Sequence, residues 1–250
     1  MVEIRKISDA VEASGVKCLI HGPAGSGKTF SISTIPDRAS ILVLSAEAGL
    51  LSLKNVAGDI DTIVIKTIDE LRDAYEFIAS PEGDKYKTIV LDSFTEIAQQ
   101  VLASELGKTT KDGNAAHGQK AYGEMQQTMM RMAKKFRDMD GKNVILICQQ
   151  EKQKDADQAI FYGPSMPGQK LGQSILYLFD LVACIRVRAE YMTVEGREEP
   201  VLIYRRAWQF SQLADPLYAA KDRTSGALSD FEPPDWGLIF GKINNHKGQE

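Results

Sequence analysis

Residues 22–29 read Gly22-Pro23-Ala24-Gly25-Ser26-Gly27-Lys28-Thr29, a phosphate-binding loop of the form G-x-x-x-x-G-K-[ST]. Each residue type has a task on a nucleoside triphosphate. Gly22, Gly25 and Gly27 let the backbone turn successive N–H groups inward onto phosphate oxygens. Lys28 is expected to reach the β- and γ-phosphates, and the Thr29 hydroxyl to take one coordination position on Mg²⁺. Pro23, Ala24, Ser26 and the following Phe30 complete the expected contact surface for the nucleotide. An ordinary glycine-rich turn is the alternative, and the flanks argue against it. Lys17-Cys18-Leu19-Ile20-His21 suits a buried strand, and Thr29 to Ile35 reads as a helix whose N-terminus favours anions.

Two carboxylates end apolar runs elsewhere. Asp92 follows Thr88-Ile89-Val90-Leu91. A carboxylate there can hold Mg²⁺, commonly through water, although it could instead cap the helix beginning at Ser93. Glu47 follows the run Ser40–Ser45 in the same way. Hydrolysis needs a base within reach of a water in line with the γ-phosphate. Because Ser93 and not a second acid follows Asp92, Glu47 is the expected base; the other role open to it is a first-turn acid stabilised by a helix dipole. Glu96 is a rival, one helical turn beyond Asp92 and expected to face away.

These residues need a scaffold, and the pattern supplies one. Strands are predicted over 17–21, 40–45, 61–66, 87–92, 143–148 and 180–188, with helices over 68–79, 93–106 and 119–139 between them. Met125, Met129, Met132, Ala133 and Phe136 fall at helical spacing and read as core. Residues 191–204 look like a hairpin that closes the sheet antiparallel. Alternation of buried strands with helices implies a mostly parallel sheet covered on both faces, with ligands at the carboxyl ends of its strands.

At 250 residues and 43% apolar content the chain suits one large α/β domain. No linker, repeat or low-complexity tract divides it. The net charge of −4 excludes a globally basic nucleic-acid binder but not local basic patches. Cys18, Cys148 and Cys184 lie in apolar runs at no metal-ligand spacing and read as buried, reduced thiols. No signal-peptide core and no bilayer-length apolar stretch is found, so a cytoplasmic protein without membrane contact is expected.

With Gly22 to Thr29, Ser45-Ala46-Glu47, Leu91-Asp92-Ser93 and Ile147-Cys148-Gln149-Gln150 in this order, the sequence resembles the RecA-like branch of P-loop ATPases. Within that branch it looks like the single-domain phage recombination ATPases that cooperate with single-strand annealing. The resemblance implies ATP and Mg²⁺ as cofactors, Glu47 as catalytic base, and Gln149 as a γ-phosphate sensor that passes its state to a DNA-binding loop. Gln149 could otherwise pair a strand-end carbonyl. A further station, Ala219 to Gly226, resembles the Lys-x-Arg element that related ATPases insert into a neighbour's site. Lys221 and Arg223 would then neutralise phosphoryl charge in trans. A solvated, charge-rich turn is the alternative.

The implied organisation is a RecA-like core over 17–210, an N-terminal extension over 1–16, and a C-terminal segment over 211–250 carrying the Lys-x-Arg element. The implied partners are single-stranded DNA, further copies of the chain with nucleotide at their interfaces, and a single-strand DNA-binding protein. The implied setting is the cytoplasm of a bacterium or phage-infected cell. Met1–Val16 shows no polymerisation motif, which leaves ring, filament and monomer open.

Two predicted loops could grip a strand. Gly107–Lys120 is glycine-rich and basic, and Glu151–Gly172 carries Lys152, Lys154 and Lys170 with Phe161 and Tyr162 between them. Glu151, Asp155 and Asp157 dilute the second. A P-loop kinase is a competing reading, since Arg186, Arg188, Arg197, Arg205 and Arg206 are numerous; their alternation along strands suggests solvent faces instead. A nucleotide-gated adaptor with little turnover is the other.

Overall fold

The computed structural model describes residues 6, 14–47, 49–56, 58–109, 115–155, 157–193 and 199–246. Its centre is an eight-stranded sheet. β1 (Lys17–His21), β2 (Ile41–Ser45), β4 (Thr88–Asp92) and β5 (Asn143–Cys148) are buried almost throughout, as their unbroken apolar sequences require. β3 (Asp61–Val64) forms one edge and is mostly exposed. β8 (Leu181–Met192), β9 (Val201–Gln209) and β10 (Phe231–Glu232) form the other side.

The strand order is β10-β9-β8-β1-β5-β4-β2-β3. All neighbours from β8 to β3 run parallel, and β8–β9 and β9–β10 are antiparallel. This is the expected mostly parallel α/β sheet with its antiparallel hairpin extension. The tip of that hairpin, residues 194–198 and so Arg197, lies outside the described residues, as does most of the 1–16 extension.

Alternate residues of each buried strand feed two cores. On one face Leu19, Leu44, Leu91 and Leu146 meet helices α1 (Ile68–Ala79), α2 (Phe94–Thr109) and α3 (Ala115–Arg137). The methionine stripe of α3 is buried there, as its spacing predicts. On the other face Ile20, Val43, Val90 and Ile147 meet Ile32, Trp208 and α5 (Trp236–Asn245). Trp208 and Trp236 pack with ring centroids 4.6 Å apart. The three cysteines are free and buried, and burial pushes their thiols well above the ordinary range.

Three local expectations are corrected. The predicted helix over 29–35 is a short 3-10 segment, Phe30–Thr34. The Ser31, Ser33 and Thr34 hydroxyls each donate to the carbonyl three residues back, and Pro36 bars continuation. The predicted loop 151–172 is instead a hairpin of β6 (Gln150–Lys154) and β7 (Ile160–Pro164), followed by α4 (Gln169–Ile175). Of the predicted loop 107–120, residues 107–109 end α2 and 115–120 begin α3; residues 110–114 lie outside the described ones.

Candidate functional site

Strand register gathers the site. Ser45 pairs with Asp92, Asp92 with Ile147, and Cys148 with His21, so β2, β4, β5 and β1 end level with one another. The phosphate loop leaves the end of β1. Gly22 packs so close to β8 that a Cβ on it would stand 3.0 Å from Ile185 Cβ, which only glycine avoids. Gly27 has φ +97°, also a glycine conformation. The backbone N–H groups of Gly25, Gly27, Lys28 and Thr29 make no bond within the chain among the described residues, and the buried Ser26 hydroxyl has no partner either. Such a concentration of unpaired donors suits a polyanion.

Lys28 donates to the Gly22 and Pro23 carbonyls at 2.8 and 2.9 Å. Burial lowers its pKa, with the negative charges of Asp92 and Glu47 acting in the opposite sense. The Thr29 hydroxyl donates to Asp92 Oδ2 at 2.7 Å. Asp92 is buried, and burial pushes its carboxyl up to about 6; the Thr29 hydrogen bond opposes that rise, Glu47 adds to it and Lys28 opposes it. The capping role open to Asp92 falls to its neighbour, because Ser93 Oγ accepts the Glu96 N–H at 3.2 Å. Among the described residues no three His, Cys, Asp or Glu side chains form a metal cluster. A hydroxyl plus one carboxylate is nonetheless a sufficient protein share for Mg²⁺ held largely by phosphates and water.

Glu47 stands beside this pair. Its Oε1 accepts from the Ser93 hydroxyl at 2.5 Å and from Gln149 Nε2 at 3.1 Å. The Gln149 side chain thus turns to the acid and not to a strand-end carbonyl. Its backbone N–H donates to the Thr95 hydroxyl, which donates in turn to the Ser165 carbonyl. Glu96 contributes its N–H to this cluster through Ser93. Lys28, Thr29, Asp92, Glu47 and Gln149 are therefore brought together, with Ser93 and Thr95 as supports that the sequence reading missed. Polar residues opening a helix after a strand-end acid are the signal that could have found them.

Lys221 and Arg223 lie apart from this group. Lys221 bridges Val182, near the amino end of β8 and three residues short of the Ile185 that touches Gly22. Its amine donates to the Leu176 carbonyl at 2.6 Å; burial lowers its pKa to about 8, Arg223 acts in the same direction, and Asp180 opposes both. Arg223 pairs with Asp180 at 3.6 Å. A buried histidine links this segment to the loop strand. His21 Nε2 lies 2.7 Å from the Ala219 carbonyl and Nδ1 lies 3.2 Å from Gln150 Nε2, an arrangement suited to a neutral ring, and burial lowers its pKa to about 4.

Of the described hairpin arginines, Arg188, Arg205 and Arg206 are exposed, as their alternation along the strands suggests, while Arg186 is half-buried. Arg186 lies 3.5 Å over the Tyr218 ring and pairs with Asp215, and Arg188 lies over Phe231. Arg206 reaches back to Gly27. On the β6–β7 hairpin, Tyr162 stacks on Tyr218 at 5.2 Å, so that ring is already engaged, while Lys152 and Lys154 are exposed. No described helix is long and apolar enough to cross a membrane.

The family described as AAA domain matches residues 14–224. Among solved structures, the RadB recombinase is similar over 78% of this chain and 88% of its own, at 17% identity and a TM-score of 0.40. The flagellar accessory protein FlaH from Methanocaldococcus jannaschii is similar over 91% and 89%, at 11% identity and a TM-score of 0.41. No curated protein matches the chain.

Proposed function

The chain belongs to the AAA-domain family, and from that membership we propose that it is a Mg²⁺-dependent ATP hydrolase, one ATPase domain acting on single-stranded DNA during annealing or strand remodelling. The observation that carries the hydrolase reading is the side-by-side placement of the Thr29–Asp92 pair and the Glu47–Ser93–Gln149 cluster at the phosphate loop. Bound Mg²⁺ would neutralise phosphate charge between Thr29 and Asp92. Lys28 and the loop N–H groups hold the phosphates. Glu47 orients a water and takes its proton as the oxygen attacks the γ-phosphorus, and ADP departs with the electrons of the broken P–O bond. Gln149 and Ser93 fix the carboxylate, and Thr95 fixes Gln149.

The DNA part rests on the RecA-like resemblance and on Lys152 and Lys154, exposed on the hairpin that begins directly after Gln149. A change at Glu47 alters the Gln149 hydrogen bond, and the chain carries that change into β6. The site of Lys221 and Arg223, away from their own loop, supports service at a neighbouring copy's nucleotide. A phage or bacterial recombination setting, in the cytoplasm and alongside a single-strand DNA-binding protein, is part of the same proposal.

Phosphate release, measured with and without single-stranded DNA over a range of protein concentrations, tests this. Glu47→Gln should lower turnover by about 100-fold or more while ATP affinity stays within about threefold. Unchanged turnover in that variant would point to a nucleotide-gated adaptor. Failure of DNA to stimulate the wild type would remove the strand-remodelling role.

A further inference from the structure

β1 stands between β5 and β8 in the sheet. Asp92, Glu47 and Gln149 all come from strands on the β5 side, so that side receives the terminal phosphate. The remainder of a nucleoside triphosphate then runs the other way, over Ser26 and Gly27 toward β8 and β9. An open cleft of about 880 Å³ begins there, with Ser26, Gly27 and Phe30 on its loop wall and Tyr204, Arg206 and Pro233 opposite. Phe30 is 47% and Tyr204 70% exposed, so both rings are accessible to a ligand in this cleft.

Arg206 distinguishes this cleft from a chance hollow. Its Cδ, Nε and one terminal nitrogen each lie 3.8 Å from the point that a Cβ on Gly27 would occupy, so the guanidinium group rests on the phosphate loop itself. The other described hairpin arginines are engaged: Arg186 with Asp215, Arg188 with the Phe231 ring, and Arg205 with Glu190. Arg206 has no such partner among the described residues. An uncompensated guanidinium beside a row of unpaired N–H groups is suited to an anion it can grip bidentately.

We propose that this cleft holds the nucleoside end of the nucleotide and that Arg206 binds the inner phosphates in cis. The base lies against the Phe30 and Tyr204 rings, the ribose spans Ser26 and Gly27, and the guanidinium group completes the loop's hold on phosphate from the β9 side. The inference rests on the ATP reading above and adds a binding residue that no motif marks.

Calorimetric titration with ATP, ADP and inorganic tripolyphosphate, all with Mg²⁺, tests it through binding alone. Arg206→Ala should weaken all three by about tenfold or more, as expected for loss of a charge-assisted hydrogen bond. Arg206→Lys should restore part of that loss, since it keeps the charge but not the fork. Tyr204→Ala should weaken ATP and ADP by roughly tenfold and leave tripolyphosphate untouched, because only the nucleosides present a base to stack. Both side chains are exposed, so thermal unfolding of each variant should match the wild type. Wild-type affinity for ATP in both alanine variants, with Lys28→Ala unable to bind, would overturn the proposal and leave the ATP reading standing. A wild type that binds neither ATP nor tripolyphosphate would overturn both.

Discussion

Replacing Asp92 by asparagine removes a charge that the folded chain must hold out of water. In the metal-free protein, burial raises this carboxyl from 3.8 to about 6, against the opposing Thr29 hydrogen bond. The unfolded chain ionises Asp92 near its ordinary value. Between about pH 4 and pH 6 the unfolded state therefore binds fewer protons than the folded one, and stability falls as pH rises. Across about two pH units, at about 1.4 kcal/mol each, the cost reaches about 3 kcal/mol and persists at every higher pH. Asparagine keeps an oxygen to accept from Thr29 and carries no charge to desolvate. Asp92→Asn should thus stabilise chelator-treated protein by about 2–3 kcal/mol near pH 7.5, a gain that shrinks below about pH 6 and vanishes near pH 4. Urea unfolding followed by circular dichroism across that range reads the difference directly. The same variant should lose the Mg²⁺-dependent part of its nucleotide affinity, stability being traded here for a metal site. Equal stability of the two proteins near pH 7.5, or an asparagine advantage that persists unchanged near pH 4, would refute the reasoning.

Other perturbations follow from the same geometry. Thr95→Val keeps the shape but strands the Gln149 N–H and the Ser165 carbonyl, so it should cost about 2 kcal/mol or more in urea unfolding and lower kcat more than it raises KM. Thr95→Ser, which retains the hydroxyl, should recover most of both. If Lys221 and Arg223 serve a neighbour's nucleotide, Lys28→Ala protomers and Lys221→Ala/Arg223→Ala protomers, each inactive alone, should regain phosphate release when mixed; continued inactivity of the mixture would exclude action in trans.

How much was legible depended on distance along the chain. The phosphate loop is eight consecutive residues, and their local conformation is enough to announce it. The apolar strands were equally plain, because a strand buried on both faces has no polar alternation to confuse with anything else. Each strand-end acid could be named, since parallel strands present their carboxyl ends together. The 3-10 segment after the loop was misread because three hydroxyls within four residues compete for the backbone, a local effect that apolar periodicity does not register. The β6–β7 hairpin was missed because β6, Gln-Glu-Lys-Gln-Lys, has no apolar alternation, and β7, Ile-Phe-Tyr-Gly-Pro, has only three apolar residues before two turn-type ones.

The sequence by itself thus determined a phosphate-loop motif directly after an apolar strand and two acids that end different strands. Only the tertiary structure decided that Ser93 and Gln149 share one oxygen of Glu47, that Thr95 braces Gln149, and that Arg206 lies on Gly27 while its neighbours on the hairpin are tied elsewhere. A loop is a property of adjacent residues, whose φ and ψ values are set locally. A contact between distant strands depends on their register, and a one-residue slip would turn Arg206 to the opposite face of the hairpin.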